Sequence, residues 1–510
     1  MTEVAFAPRF ASRVLIVGLG ETGIAAARWC ARNGAQLRVA DTRTNPAGLD
    51  ELKAVLGETP VEWHLGCDVF AESLLDDIEQ LVLSPGLVPG LSPVRELLEA
   101  AQARNVEMIG EIELFARALS HLRETQGYAP QVLGVTGTNG KTTVTALTRR
   151  MLEACGINAR AAGNISPAAL HALMDSQDQN DLPQAWVLEL SSFQLETTHS
   201  LNLTAATVLN VTQDHLDWHV TMSAYCEAKA RIFKMAEQHI VNRDDANVMA
   251  MVPSLADVKV RSFGRDTPML TADLGIETSH DVMWLCSSEA TEFEEDIPTP
   301  TRRKKNAPIP QRQAGRMVRL MPVDALGVRG LHNALNCQAA LLLARACGAK
   351  WAPMLRAAGE YQGEPHRMEF VRSIRGIDFF NDSKGTNVGA TAAGIEGLGR
   401  QVVLIAGGVG KGQDFDPLLP VVQRHVRAVI LIGQDAPILF QVLSQAKVPC
   451  VMATDMVNAV SQAFQHAEQG DAVVLSPACA SFDMFQNYPH RGRVFMDAVV
   501  DLALDQGEVV

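Results

Sequence analysis

The sequence predicts an α/β protein built on mostly parallel sheets with helices on both faces, divided into about three domains. Three observations predict this. The length is 510 residues, and at roughly 150 residues per domain it gives about three. Short apolar runs alternate with amphipathic stretches along the whole chain. Two glycine-rich turns each sit between a strand pattern and a helix pattern.

Composition sets the class. Hydrophobic residues make up 47% and charged residues 20%, proportions of a globular chain able to bury several cores. The formal charge is −14, from 44 basic and 58 acidic residues. That balance argues against a nucleic-acid partner, which needs basic surface to release phosphate counterions. It still allows a small anionic ligand held by local groups. Nine cysteines without a C-x-x-C pair argue against a disulfide framework and for a reducing cytoplasm. No apolar run reaches about 18 residues, so no membrane span is expected. The N-terminus lacks the basic start, apolar core and cleavage site of a signal peptide.

Apolar runs at 14–17, 37–40, 81–83, 132–135, 186–190, 206–210, 402–406, 428–432 and 472–475 read as buried strands. Amphipathic stretches such as 22–33 and 143–155 read as helices between them, and this alternation is that of parallel sheets. Breaks are expected over the polar segments 120–130 and 359–366. From 287 to 316 the chain runs acidic, then Pro/Thr-rich, then basic, with no core pattern. It reads as a solvated insertion.

The first glycine turn, Gly18-Leu19-Gly20-Glu21-Thr22-Gly23, fits G-x-G-x-x-G after the strand VLIV. Asp41 ends the next strand pattern, 18 residues after Gly23. This is a dinucleotide fingerprint in its proper context. The glycines admit a phosphate to the backbone, and the helix N-terminus adds partial positive charge. Taken alone, the turn fits NAD, another nucleotide diphosphate or no ligand.

The second turn, Val135-Thr136-Gly137-Thr138-Asn139-Gly140-Lys141-Thr142-Thr143, ends in G-K-T as a Walker A loop does, although Val135 stands where the strict pattern has Gly. Its working parts are present: backbone amides to cradle phosphate, Lys141 for the β/γ oxygens and the Thr142 hydroxyl for Mg²⁺. ATP is the expected ligand, and a pure dehydrogenase has no use for this loop.

Strand WVLEL delivers Glu189, and the next strand pattern leads to Asp214 and His215. Mg²⁺ takes one or two carboxylates plus phosphate, so Glu189 is a candidate ligand. His215 and His219 have zinc-like spacing, but the Glu of H-E-x-x-H is missing. In the last third, strand patterns end in NDSKGTN, GGVGKG and SPACASFD, and His366-Arg367 precedes another. Ligands of open α/β sheets bind beyond such strand ends, and the two lysines, the arginine and the hydroxyls suit an anionic substrate.

With TGTNGKTT, LELSSFQLE, NDSKGTN, GGVGKGQDF and LSPACASFDMF in hand, the chain resembles the Mur ligases, ATP-dependent amide-bond enzymes of bacterial cell-wall synthesis, and among them the glutamate-adding members. The resemblance covers nearly the whole chain apart from 287–316. It implies a UDP-binding Rossmann-like domain over 1–124, a central P-loop ATPase domain over 125–363 carrying a flexible insertion, and a Rossmann-like, amino-acid-binding domain over 364–510. It implies a monomer that adds D-glutamate to UDP-N-acetylmuramoyl-L-alanine through an acyl phosphate. The alternatives are another Mur-type or folylpolyglutamate-type ligase, or an NAD-dependent oxidoreductase. The residues alone leave the hand of the glutamate and the oligomeric state open.

Site roles follow from the resemblance position by position. Gly18, Gly20, Thr22, Gly23, Asp41, Thr42, Arg43, Ser84 and Gly86 would hold UDP, with Asn164 and His215 on the sugar-peptide side. Gly137, Thr138, Asn139, Gly140, Lys141, Thr142 and Thr143 would hold ATP together with Asn333, Asn336, Arg367 and Asp382. Thr142, Glu189, His215 and Lys229, the last as a carbamate, would serve two Mg²⁺. Lys384, Thr386, Lys411, Ser481, Phe482 and Tyr488 would receive glutamate. Lys141, His215, Lys229, Lys384 and Lys411 would be the catalytic set. Gly385 stands where the family usually has Ala, and Tyr488 where it has Phe; both are expected to be tolerated.

Overall fold

The computed structural model describes residues 11–290 and 311–508. The N-terminal sheet holds β1 (Arg13–Val17), β2 (Gln36–Asp41), β3 (Val61–Leu65), β4 (Gln80–Leu83) and β5 (Glu107–Ile109), all parallel, in the order β3-β2-β1-β4-β5. The central sheet holds β6 (Gln131–Thr136), β7 (Ala159–Gly163), β8 (Ala185–Glu189), β9 (Leu203–Val208), β10 (Ala236–Asn242) and β11 (Val260–Phe263), again all parallel, in the order β11-β10-β9-β6-β8-β7. A small antiparallel sheet follows, with β12 (Leu274–Ser279), β13 (Val282–Glu289) and β14 (Arg316–Pro322). The C-terminal sheet holds β15 (Glu369–Ile374), β16 (Ile377–Asn381), β17 (Val402–Gly407), β18 (Val426–Ile432), β19 (Cys450–Met452) and β20 (Ala472–Leu475). Its order is β15-β16-β20-β17-β18-β19, with only the edge strand β15 antiparallel.

Each of the nine apolar runs overlaps a strand of the three large sheets. They read as unbroken runs because helices cover both faces; every residue of β17 is buried. The helices that matter for the site are α1 (Glu21–Arg32), α2 (Glu111–Gln126), α3 (Lys141–Ala154), α4 (Ala169–Asp178), α5 (Met222–Lys234), α6 (Leu331–Ala346), α7 (Val388–Leu398) and α8 (Tyr488–Asp505).

The first two domains share a core. Trp29 on α1, Phe115 on α2 and Leu170 on α4 belong to one buried cluster that continues to Trp186 and Leu188 on β8. The C-terminal sheet keeps its own cores on its two faces. It meets the central domain largely through polar side chains, the kind of interface that lets domains move as bodies.

Two segments differ from expectation. The break over 120–130 shrinks to 127–130, because α2 continues to Gln126 and is closed by Gly127 at φ +70°. The expected boundary after 124 therefore falls in the last turn of a helix, where the polar residues are its solvent face. The stretch 287–316 is not wholly a solvated insertion. Ser287 and Ser288 are buried in β13, and the Arg312 side chain, 5% exposed, pairs with Asp273 at 2.7 Å. Residues 291–310 of that stretch lie outside the described residues. Among the described residues no helix is long and apolar enough to cross a membrane.

Candidate active site

The first glycine turn joins β1 to α1 at the carboxyl edge of the N-terminal sheet, between β2 and β4, where the strand order reverses. A Cβ on Gly23 would lie 1.9 Å from the Gly18 carbonyl oxygen, so glycine is what lets α1 close on the turn. Thr22 Oγ1 lies 3.3 Å from Ser84 Oγ, bringing the β1 and β4 loops together. Asp41 is buried, and its carboxylate accepts from Leu19 N at 2.6 Å and from Arg43 N, Nε and Nη2 at 2.7–2.8 Å. Burial raises its pKa, but the Arg43 and Leu19 hydrogen bonds outweigh that and hold it below the usual range. Its lone pairs are thus engaged internally, by the turn's own backbone and by the Arg43 guanidinium. Thr42 is exposed, and Gly86 has open space where a Cβ would stand.

The second turn leaves β6 and feeds α3, whose first residue is Lys141. Lys141 Nζ donates to the Gly137 and Thr138 carbonyls at 2.8 Å each, folding back over the loop. Burial lowers its pKa, so it gains from a phosphate beside it. Thr138 Oγ1 contacts Tyr225 Oη at 3.1 Å, and Asn139 N donates to Asn210 Oδ1 at 2.8 Å. Thr143 is buried beneath the loop.

Glu189 ends β8, the strand paired with β6, in register with Val135 at the start of the loop. Its Oε1 accepts from Asn164 Nδ2 at 2.9 Å, while Oε2 is buried without a hydrogen-bond partner. His215 adopts a left-handed backbone (φ +54°) that turns the chain back beside Phe193, with ring centroids 4.8 Å apart. Burial lowers its pKa, and Asp214 partly offsets this. Lys229 on α5 is 1% exposed; its Nζ donates to the Gly137 carbonyl at 3.0 Å and lies 4.5 Å from the Tyr225 ring centroid. Burial, followed by the nearby Lys141 charge, pushes its pKa well below that of an ordinary lysine. Among the described residues, no three His, Cys, Asp or Glu side chains gather as a metal cage.

The C-terminal loops close the site. Arg367 Nη2 donates to Thr142 Oγ1 at 2.7 Å, and Lys384 Nζ reaches the same oxygen at 3.3 Å. Burial brings the Lys384 pKa down to about 8, and its ammonium lies 5.2 Å from the Tyr488 ring centroid. Asp382 is buried and accepts from Ser476 Oγ at 2.7 Å; burial raises its pKa to about 6. Gly385 proves less neutral than expected: a Cβ there would lie 2.5 Å from Asp382 Oδ2 and 2.8 Å from Ser476 Oγ. An alanine requires that buried pair to shift. Thr386 is half-buried in the same loop, and Ser481 is buried after β20. Lys411 is exposed with φ +52°, and Phe482 is 72% exposed.

Two cavities connect these parts. One of about 990 Å³ is lined by Glu21, Asn164, Thr142, Arg367, Lys384 and Tyr488. It runs from the edge of the first glycine turn to the phosphate loop and the C-terminal loops. The other, about 300 Å³, is lined by Gly140, Thr143, Asn333, Asn336, Arg367 and Asp382, with Phe263 and His332. Asn336 Nδ2 donates to Asn333 Oδ1 at 3.1 Å. One contributor was not singled out from the sequence. Asn387 caps α7 and exchanges hydrogen bonds with Asn139 at 3.1 and 3.3 Å, and donates to Asp214 at 3.2 Å. Its position just past Lys384 and Thr386 in NDSKGTN is the available signal.

Comparisons with known proteins agree with this layout. Residues 12–110 match the Mur ligase MurD-like N-terminal domain, 135–307 the Mur ligase middle domain, and 366–479 the Mur ligase glutamate ligase domain. The chain is 64% identical to UDP-N-acetylmuramoylalanine--D-glutamate ligase of Bordetella bronchiseptica, covering 97% of each. It is 51% identical to the protein of that name from Ralstonia nicotianae, over 97% of this chain and 98% of the relative. Among solved structures it is similar in fold to MurF from Acinetobacter baumannii, at a TM-score of 0.55 and 15% identity over 98% of this chain and 92% of that one. It is likewise similar to UDP-N-acetylmuramate-alanine ligase MurC from Thermotoga maritima, at a TM-score of 0.54 and 16% identity over 97% of this chain and 100% of that one.

Proposed function

The chain belongs to the Mur ligase family, and from that premise we propose that it adds D-glutamate to UDP-N-acetylmuramoyl-L-alanine in peptidoglycan synthesis, at the expense of ATP. The observation that carries this reading is the meeting of three regions at one cavity: Glu21 of the first glycine turn, Thr142 of the phosphate loop, and Lys384 and Tyr488 of the C-terminal loops all line it.

UDP sits at the first turn, and the L-alanine carboxylate reaches Asn164 beside the phosphate loop. ATP occupies the second cavity, between Asn333, Asn336 and Asp382, with its phosphates on the loop amides. Hydroxide is a poor leaving group from a carboxylate and phosphate a good one, so the carboxylate is first phosphorylated. The glutamate amine then attacks the acyl phosphate, and the tetrahedral intermediate collapses to amide and phosphate. Lys141 leaves its carbonyl partners for the transferring phosphoryl group, where its charge counts most in a buried setting. Arg367 and Lys384, already on Thr142, bring positive charge and cover the cavity against water. Lys384 and Ser481 face the incoming amino acid.

The residues fit a hard divalent cation. The partnerless buried Glu189 Oε2 is an oxygen ligand in waiting, with Thr142 Oγ1 and His215 as neighbours in the same site. A metal here neutralises charge on the phosphates. Among the described residues no third His, Cys, Asp or Glu joins this group, and Lys229 supplies the missing anionic oxygen as a carbamate, which a neutral buried amine forms with CO₂ by releasing a proton.

The test is phosphate release from ATP with UDP-N-acetylmuramoyl-L-alanine present and each amino acid offered in turn. Release that depends on D-glutamate is expected. Release that is indifferent to the amino acid, or absent, rejects the reading.

A further inference from the structure

α8 begins at the acceptor site and carries an arginine where a charge is expensive. Arg491 is 1% exposed, and among the described residues it forms no ion pair. Its guanidinium instead serves three neutral oxygens: Nε donates to Ser383 Oγ at 3.0 Å, Nη2 to the Ser383 carbonyl at 2.8 Å, and Nη1 to the Cys479 carbonyl at 3.1 Å. The Ser383 hydroxyl in turn donates to the Tyr488 carbonyl at 2.8 Å, closing a ring of bonds through the first turn of α8. Burial lowers the Arg491 pKa to about 10, a fall that Cys479, Asp483 and Asp382 only partly offset.

A buried cation without a carboxylate is a poor way to fill space, since an apolar side chain of like volume avoids the desolvation. What arginine adds is a rigid fork of donors that fixes several acceptors at once. Here the acceptors lie on two separate loops. Ser383 immediately precedes Lys384 in the loop after β16, and Cys479 lies two residues before Ser481 in the loop after β20.

We propose that Arg491 is a positioning residue for the amino-acid acceptor site: by clamping Ser383 and Cys479 it sets the spacing between Lys384 and Ser481. This rests on the reading above that those two loops receive glutamate. The nucleotide side has its own anchors. Asp382 is held by Ser476 Oγ, and its backbone N–H donates to the Leu475 carbonyl at 2.8 Å. Loosening the clamp therefore strikes glutamate binding ahead of ATP binding.

The experiment is steady-state kinetics of the full-length enzyme as Arg491→Ala and Arg491→Lys, varying each substrate in turn. Arg491→Ala is expected to raise KM for D-glutamate by about 10- to 100-fold, the equivalent of one or two lost charge-assisted hydrogen bonds. KM for ATP and for UDP-N-acetylmuramoyl-L-alanine should move far less, and added guanidinium ion should lower the glutamate KM again. Arg491→Lys keeps the charge but cannot reach three acceptors, so it should show a smaller rise in glutamate KM; it carries the test if the alanine variant fails to fold. Parallel rises in all three KM values, a fall in kcat with glutamate KM unmoved, or a lysine variant equal to wild type overturns the proposal. Wild-type enzyme that releases no phosphate with these substrates overturns the functional reading instead, before any variant is compared.

Discussion

Arg367 Nη2 and Thr142 Oγ1 lie 2.7 Å apart, joining the C-terminal domain to the phosphate loop at the hydroxyl that follows its lysine. Arg367 Nε is buried nearby with no partner. A guanidinium with one hand on the loop and one donor unspent is suited to phosphate, which accepts from two donors at once. Arg367→Ala should lower kcat/KM for ATP by about 10²–10³-fold, the scale of one lost electrostatic stabiliser. Arg367→Lys should recover only part of this, since an ammonium lacks the fork. Steady-state kinetics with ATP varied decides it, and full recovery by lysine would show that charge alone matters.

Lys229 offers a chemical test. Its burial beside Lys141 favours the neutral amine, the form that adds to CO₂. Lys229→Ala should be inactive under standard assay conditions and regain part of its turnover when short carboxylates are supplied. An alanine variant with full activity and no response to carboxylates sinks the carbamate.

Lys384 gives a pH dependence. Its pKa is lowered to about 8 by burial, so its charge is present below that pH and lost above it. KM for D-glutamate should accordingly climb as the pH rises past about 8, while Lys384→Arg should flatten the climb over the same range. The measurement is glutamate KM from pH 6.5 to 9.5, roughly 1.5 units either side of that value. Equal slopes for the two enzymes would assign the titration to another group.

The parts of the site legible in the sequence are those built from one local turn. The glycine turn at 18–23 and the loop at 137–143 each need a strand, a tight backbone and a helix start in sequence order, and periodicity supplies all three. The nine buried strands were legible for the same reason. What was missed depends on partners far along the chain. Asn387 reads as an ordinary helix cap until the fold sets it against Asn139, 248 positions away. Arg491 reads as a solvated helical charge until Ser383 and Cys479 close around it. Residues 120–126 looked like a linker because the solvent face of a helix and a loop share a composition. The β12–β14 sheet was hidden because β13 and β14 flank a long polar stretch, so neither showed a complete pattern.

The seam between the first two domains carries its own titration. Glu111 at the start of α2 accepts from Leu170 N at 2.5 Å, and Glu21 at the start of α1 accepts from Ala168 N at 3.1 Å. Two carboxyls thus converge on the N-terminus of α4; elsewhere on the seam Arg28 on α1 and His171 on α4 lie 3.4 Å apart. Glu111 Oε2 is buried without a partner. Burial raises the Glu111 pKa to about 7, with the Leu170 N–H pulling it down and Glu21 pushing it further up. Because the folded value exceeds the unfolded one, the folded protein holds the extra proton between about pH 4.5 and pH 7, and stability declines as pH climbs through that window, then levels off. The full decline is at most about 3 kcal/mol. Glu111→Gln keeps an acceptor for Leu170 N and removes the titration. Its denaturant midpoint, followed from pH 5 to pH 8, roughly the upper part of that window and just beyond it, should fall less than that of the wild type and should be the higher of the two at pH 8. Parallel midpoint curves would show that Glu111 does not carry this pH dependence.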